Sequence, residues 1–358
     1  MSTIKTCPKC GAPDFITEQH LWLNNGDIVQ KNSPTSRLVI AESENIDPLF
    51  HNIEELIGTP IEHIIITSVR RAVHTWLSPM FPDELKEQVR KKEVDPAPLA
   101  NALLQLNRMM GVGKVELVEL RNKGNEDDYV ITRIHKPFSV PLAVGGIIAG
   151  WEAFFGIELG YSFKEISPDI YELKNFPSPH PEELKERMRV SEYKHRDGGT
   201  ELERCPSCEG PMALSRYSWD LDEGIIMDND TNRRMIMLGP VELDLVFHEL
   251  EKELGATIPR LIVEALRRFT KSSSYSLFDV TTADEFRTLL AVMGMGYLEN
   301  INVSRKGLNM RLENVALPLM IVGMMQGVFE KALKQDSIVE WWLSKDNNLE
   351  INIISLAN

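Results

Sequence analysis

The chain holds four cysteines, in two Cys-x-x-Cys pairs: Cys7 and Cys10 in CPKCG, Cys205 and Cys208 in CPSCE. Two thiolates three residues apart can grip one metal ion from a tight turn, whose backbone N–H groups then hydrogen-bond the sulfurs. One pair supplies two ligands, and a closed structural Zn²⁺ takes four. The doubling predicts one four-cysteine site made by both pairs, with zinc as its ion and iron, in a rubredoxin-like setting, as the alternative. A thioredoxin-like redox pair would sit in a βαβ pattern, which surrounds neither pair. The site can close within one chain or between two, and the second case makes a homodimer.

Other polar residues also recur. His51 follows Phe50 and precedes Glu54 by three residues; His248 follows Phe247 and precedes Glu251 by three. A His and a Glu at that spacing share a helix face, as a ligand-polarising or metal-binding dyad or as a plain surface or half-buried pair. Arg70-Arg71 recurs as Arg267-Arg268. Arg70 and Arg267 can capture a carboxylate or phosphate, or salt-bridge acidic neighbours on a solvated face. Two apolar segments carry glycines four apart, Gly146/Gly150 and Gly323/Gly327. Trp151, Phe155, Met324 and Phe329 on them are expected either to wall an apolar pocket or to fill the core. No P-loop, HExxH, nucleophile elbow or complete dinucleotide fingerprint occurs. Nothing pairs a general acid with a base, so no catalytic residue is assigned.

These residues are placed by elements that occur twice. Cys7 matches Cys205 and Gly26 matches Gly224 at an offset of 198. FHNIEELIG at Phe50 matches FHELEKELG at Phe247, MGVGKVELVEL at Met110 matches MGMGYLENINV at Met293, and Pro141-Leu142 matches Pro318-Leu319. Collinear matches over this length read as an internal duplication. The expected organisation is a first repeat over 1–175, a polar linker over 176–204 and a second repeat over 205–358. A short helix is expected at Pro181–Val190, and extra residues in the first repeat near 80–99 and 121–128. Each repeat reads as a knuckle, a hairpin, helices, a Gly-x-Gly turn, a β-hairpin, the apolar glycine helix and a closing strand pair. Gly58 and Gly255 are expected to end their helices in the left-handed region. The fold class is α+β, with helices packed on an antiparallel sheet in each repeat and a pseudo-two-fold axis between them.

Composition narrows the function. Of 358 residues, 43% are hydrophobic and 26% charged, and the net charge is −14. So acidic a chain repels a phosphate backbone, which argues against extended nucleic-acid binding. The apolar run Phe138–Phe155 holds Pro141, glycines and Glu152, and falls short of the ~20 apolar residues of a spanning helix. The first residues lack an apolar signal region. A cytoplasmic protein without a membrane span is expected.

The blocks Met110–Leu120 with Pro141–Gly156, and Met293–Val303 with Pro318–Val328, resemble the 4-vinyl reductase family, also described as hydrocarbon-binding or small-molecule-binding domains. The resemblance implies an α+β domain, related to vesicle-tethering subunits that hold a fatty-acyl chain, and a role in ligand sensing or carriage. The chain departs from the family in its leading knuckles and in lacking the family's terminal cysteine cluster. The reading that follows is a non-enzymatic binder of an apolar or aromatic small molecule, acting as sensor, carrier or assembly partner. The alternatives are a metal- or tetrapyrrole-related enzyme or reductase accessory, and a structural scaffold.

Overall fold

The computed structural model describes residues 4–180, 195–272 and 282–356, so the helix expected at Pro181–Val190 lies outside the described residues. The fold is α+β, with antiparallel sheets and helices. The chain divides into two compact units. Residues 1–61, 192–217 and 237–358 form the first; residues 62–191 and 218–236 form the second.

The second unit contains α3 (Glu62–Leu77), α4 (Asp83–Arg90), α5 (Ala97–Met110), β4 (Lys114–Arg121), β5 (Tyr129–His135), α6 (Val140–Phe155), β6 (Leu159–Ser167) and β7 (Ile170–Pro177). Its sheet order is β4-β5-β7-β6, antiparallel throughout. Along β5 every second residue is buried, so one face meets the core and the other meets water. Helix α6 lies on the core face, where Ile147, Ile148, Trp151 and Phe155 pack with Val115, Val130, Ile134 and Leu173. Residues 83–90 form α4, and residues 122–128 make the turn between β4 and β5.

The first unit repeats that order. It carries α1 (Asp14–Gln19), β1 (His20–Trp22), β2 (Ile28–Gln30), β3 (Ser33–Glu42) and α2 (Ile46–Ile57). Later in the chain come α7 (Pro240–Leu254), α8 (Ile258–Ser272), α9 (Ala283–Val292), β11 (Tyr297–Ser304), β12 (Gly307–Glu313), α10 (Pro318–Leu333), β13 (Ser337–Leu343) and β14 (Leu349–Ser355). The sheet order is β11-β12-β14-β13. Helix α10 covers its core face through Ile321, Val322, Met325 and Phe329. Gly58 ends α2 in the left-handed region, as expected, with φ 73° and ψ 20°. Gly255 ends α7 with φ 103° and ψ 172° instead, an extended positive-φ conformation that glycine alone reaches easily.

The units do not follow the sequence halves. In the first unit, the early hairpin β1–β3 is joined to the late sheet. The Trp22 indole N–H donates to Val292 O at 3.0 Å, and the Arg37 guanidinium donates to the carbonyls of Gly294, Asn314 and Val315. In the second unit the pattern recurs with the halves exchanged, through β8 (Tyr217–Asp220), β9 (Ile225–Asp228) and β10 (Arg233–Leu238). There Trp219 donates to Met109 O at 3.2 Å, and Arg234 donates to the carbonyls of Gly111, Lys136 and Pro137. The contact is close at both turns. A Cβ on Gly26 would stand 2.1 Å from Gly296 O, and one on Gly224 would stand 2.3 Å from Gly113 O, so no side chain fits at either turn.

The glycines of α6 and α10 serve close helix packing. A Cβ on Gly145 would lie 2.7 Å from Ile66 O of α3, and one on Gly323 would lie 2.6 Å from Val263 O of α8. Gly146 faces open space, with nothing within 4 Å. The structural partner of Gly323 is therefore Gly145, one residue from the match that the glycine spacing suggests.

Candidate metal centre

The two knuckles are built alike by their backbones. The Cys7 N–H donates to Ala12 O at 2.8 Å, and the Gly11 N–H donates back to Cys7 O at 2.9 Å. The Cys205 N–H donates to Gly210 O at 2.7 Å, and the Glu209 N–H to Cys205 O at 2.9 Å. Gly11 and Glu209 hold the same turn position, with φ 75° and 62°. Glycine takes that region freely, and Glu209 takes it at a steric cost. One antiparallel bridge closes each loop, Thr6 with Pro13 and Arg204 with Pro211.

The first unit brings the four thiols together. Cys7 Sγ lies 3.7 Å from Cys205 Sγ, and Cys10 Sγ lies 3.6 Å from Cys208 Sγ. All four sulfurs fall within 4.8 Å of one another. Those separations exclude disulfides, whose sulfurs stand ~2.05 Å apart. They fit a metal instead, because thiolates ~2.3 Å from one tetrahedral ion stand ~3.8 Å from each other. Cys7, Cys10 and Cys205 are buried, and Cys208 is half-buried. The site therefore closes within one chain, as far as ligand supply goes.

The electrostatics also call for a cation. Burial opposes a charge on Cys7, but the N–H groups of Cys10 and Lys9, with Ser207 and Cys208, outweigh it and bring the thiol down to about 6. Burial pushes Cys10 up, and the sulfurs of Cys208 and Cys7 add to the push. Cys208 is raised by burial and by Cys7 and Cys205. Clustered thiols cannot all ionise beside one another, and a divalent ion at their centre removes that conflict. The four cysteines could hold such an ion, and all four ligand positions are filled by protein.

The other sequence-selected residues are placed elsewhere. His51 is exposed and meets Glu55 at 3.2 Å, one turn on, while Glu54 accepts the Ile61 N–H at 2.9 Å. His248 is also exposed. Trp151 has no exposed surface, donates its indole N–H to Thr132 Oγ1 at 3.0 Å and stacks on Phe155. Phe155 and Phe329 belong to the two cores, and Met324 is half-buried. Arg267 lines a cavity of about 440 Å³ with Arg268, Lys271, Gln326, Glu330 and Ser337. None of Trp151, Phe155, Met324 or Phe329 reaches that cavity.

Arg70 and Arg267 lead to Glu152, which sequence reasoning treated only as an interruption of an apolar run, and to Glu330, which it did not single out. Arg70 Nε donates to Glu152 Oε2 at 2.7 Å, and its terminal nitrogen reaches Glu152, Leu159 O and His180. Glu152 also accepts the Leu159 N–H at 2.9 Å. Arg267 donates to Glu330 at 2.6 Å, while Glu330 takes Lys271 at 2.9 Å and both the N–H and hydroxyl of Ser337 at 2.9 Å. Glu152 is 4% exposed and Glu330 0%. Each buried acid ties its glycine helix to the preceding arginine helix and to the first residues of the next strand. The signal was present, since each apolar segment contains one acid, near its end.

No family profile matches the chain, and no curated protein matches it. Among solved structures, a Cs H-NOX mutant carrying 4-cyano-L-phenylalanine is 16% identical over 34% of this chain and 75% of its own, with a TM-score of 0.25. A mutant of the T. Tengcongensis H-NOX is 15% identical over the same shares, with a TM-score of 0.24. No helix among the described residues is long and apolar enough to cross a membrane.

Proposed function

We propose that this chain is a non-enzymatic small-molecule-binding protein, built by internal duplication and clamped by a structural zinc ion on Cys7, Cys10, Cys205 and Cys208. The repeats are residues 1–175 and 205–358, joined by the linker 176–204 and related by a pseudo-two-fold axis. The observation that carries the reading is the meeting of four sulfurs, two from each repeat, within 4.8 Å. A metal held by four protein ligands has no open position for a substrate, which favours a structural role over a catalytic one. The recurrence of one sheet order and one buried Arg–Glu tie supports the duplication.

The ligand side of the proposal rests on the 4-vinyl reductase resemblance and on the cavity beside Arg267, whose guanidinium is held by Glu264 and Glu330 while Arg268 and Lys271 line the same wall. Arg70 is the counterpart of Arg267, and an aromatic acid combines the two chemistries expected. The scaffold reading is favoured by one observation, the dense packing of Trp151, Phe155 and Phe329. A thermal-shift screen of aromatic acids, acyl chains and porphyrins separates the two. A binder present at a hundredfold excess over its Kd stabilises the fold by about 2.7 kcal/mol. No shift with any of them leaves the scaffold.

A further inference from the structure

The water-facing side of the sheet β11-β12-β14-β13 carries a groove of about 410 Å³ that the metal centre does not use. Register places its side chains in two adjacent rungs. One rung runs Glu340, Asn352, Asn309; the next runs Trp342, Glu350, Arg311, Asn300. Neighbouring strands stand ~4.8 Å apart and rungs on one face ~6.8 Å apart, so these groups form one small platform. Trp342 is 59% exposed, whereas Trp341 turns to the core side. A half-exposed indole beside three amides, two carboxylates and a guanidinium is an unusual way to finish a solvated sheet face, where large aromatics are normally scarce.

The other sheet shows what the same place looks like without that equipment. Matching by register through the ion pairs Arg133–Glu172 and Arg311–Glu350, the position of Trp342 is held by Lys164, and that of Asn352 by Lys174. There Lys164 stands 3.8 Å from Glu172, and Lys174 lies over the Tyr129 ring at 4.6 Å. That face is closed by its own charge pairs. On the second sheet the lysines are gone, and an aromatic plate and amides stand in their stead.

From this we infer that the Trp342 groove is a binding site for a neutral carbohydrate. A sugar ring presents C–H bonds on its faces and hydroxyls at its edge. The indole supplies a flat apolar surface for the first. The second calls for donors and acceptors together: amides provide both, carboxylates accept and a guanidinium donates. The Asn309 amide donates to Asn352 Oδ1 at 2.6 Å, which fixes both side chains and leaves further amide functions for a ligand. A phosphorylated ligand fits poorly, because Glu340 and Glu350 outnumber Arg311, which Glu299 already holds at 2.8 Å. A purely apolar ligand would strand the polar rungs without partners.

The test is affinity electrophoresis of the full chain in native gels containing hydroxyethyl cellulose, pullulan, xyloglucan or galactomannan. At least one polymer should retard the protein. Trp342→Ala should weaken that retardation at least tenfold, Asn352→Ala should weaken it several-fold, and Lys164→Ala on the other sheet should leave it unchanged. Unfolding of W342A, read by circular dichroism, would move the decision to the double variant Glu340→Ala with Asn352→Ala. The inference is overturned if none of the four polymers retards the protein, if retardation survives the groove variants, or if only a polylysine gel gives Trp342-dependent retardation. The last result would assign the groove to a basic partner.

Discussion

Alanine at two adjacent glycines of α6 should have opposite effects. In a helix interior, alanine is favoured over glycine by ~1 kcal/mol. Gly146 has no atom within 4 Å of its would-be Cβ, so Gly146→Ala should keep that gain and stabilise the protein by about 1 kcal/mol. At Gly145 the new carbon would stand 2.7 Å from the backbone oxygen of Ile66 and 3.2 Å from Val69 Cβ. A backbone oxygen cannot swing aside as a side-chain tip can, so α3 and α6 must part by several tenths of an ångström. Overpacking of this kind costs ~1–3 kcal/mol, and after the propensity gain Gly145→Ala should be destabilised by about 1 kcal/mol or slightly more. Gly323→Ala, with its Cβ 2.6 Å from Val263 O, should behave like Gly145→Ala. Urea unfolding followed by far-UV circular dichroism measures all three, with an unchanged m-value as the sign that only stability moved. Equal destabilisation by Gly145→Ala and Gly146→Ala would refute the helix contact and restore the register implied by glycine spacing.

Other outcomes follow from the same contacts. Purified protein should contain one zinc or iron ion per chain by elemental analysis, and Cys205→Ser should lose it and loosen both knuckles together, because structural metal binding is coupled to folding; two ions per chain, or none, would dismiss the shared site. Glu330→Ala should cost about 1.5–3 kcal/mol, the range for a hydrogen bond to a charged group, since Arg267 keeps Glu264 and Lys271 keeps Asp336, read as a lowered urea midpoint. Burial raises the Glu330 carboxyl, but Lys271, Ser337 and Arg267 outweigh it and hold it below the ordinary range. Its stabilisation is thus complete above the unfolded value of ~4.3 and is lost as pH falls through the lower folded value; Glu330→Gln should flatten that acid limb of the stability curve. Trp22→Phe should cost about 1–3 kcal/mol by leaving Val292 O unpaired, and Trp219→Phe should match it through Met109 O.

Much of the centre was legible because its logic is short-range. A Cys-x-x-Cys turn is a local object, and two of them ask for one tetrahedral ion. The strand pairs were legible as well, since alternation along β5 and β14 exposes one face and buries the other. The role of Arg70 and Arg267 was not, because it depends on acids 82 and 63 residues away on another helix. Sequence spacing cannot rank a solvated arginine above one that meets a buried carboxylate. The glycine register was missed by one residue for a related reason. Along α6 only Gly146 has a glycine four residues on, so spacing selects it, whereas the approach of the Ile66 carbonyl falls on Gly145. The aromatic residues went to the core because their apolar faces are satisfied equally by a ligand or by neighbours, and Trp151 finds Phe155 and Thr132 inside its own unit.

In each unit a hairpin from one half of the sequence closes a sheet from the other half. Each unit needs a tryptophan and an arginine to close the carbonyl-rich turn before its sheet, and each receives them from the other half of the sequence. With the hairpins exchanged, the two knuckles that lead into them gather in one unit, and the Arg204 guanidinium even donates to Trp22 O at 3.0 Å. The four sulfurs therefore lie in the same unit as the hairpin that carries Trp22 and Arg37. Cys205→Ser should therefore be felt at Trp22 and Arg37 before it is felt in the Arg–Glu ties of the glycine helices, which draw on no residue of the knuckles.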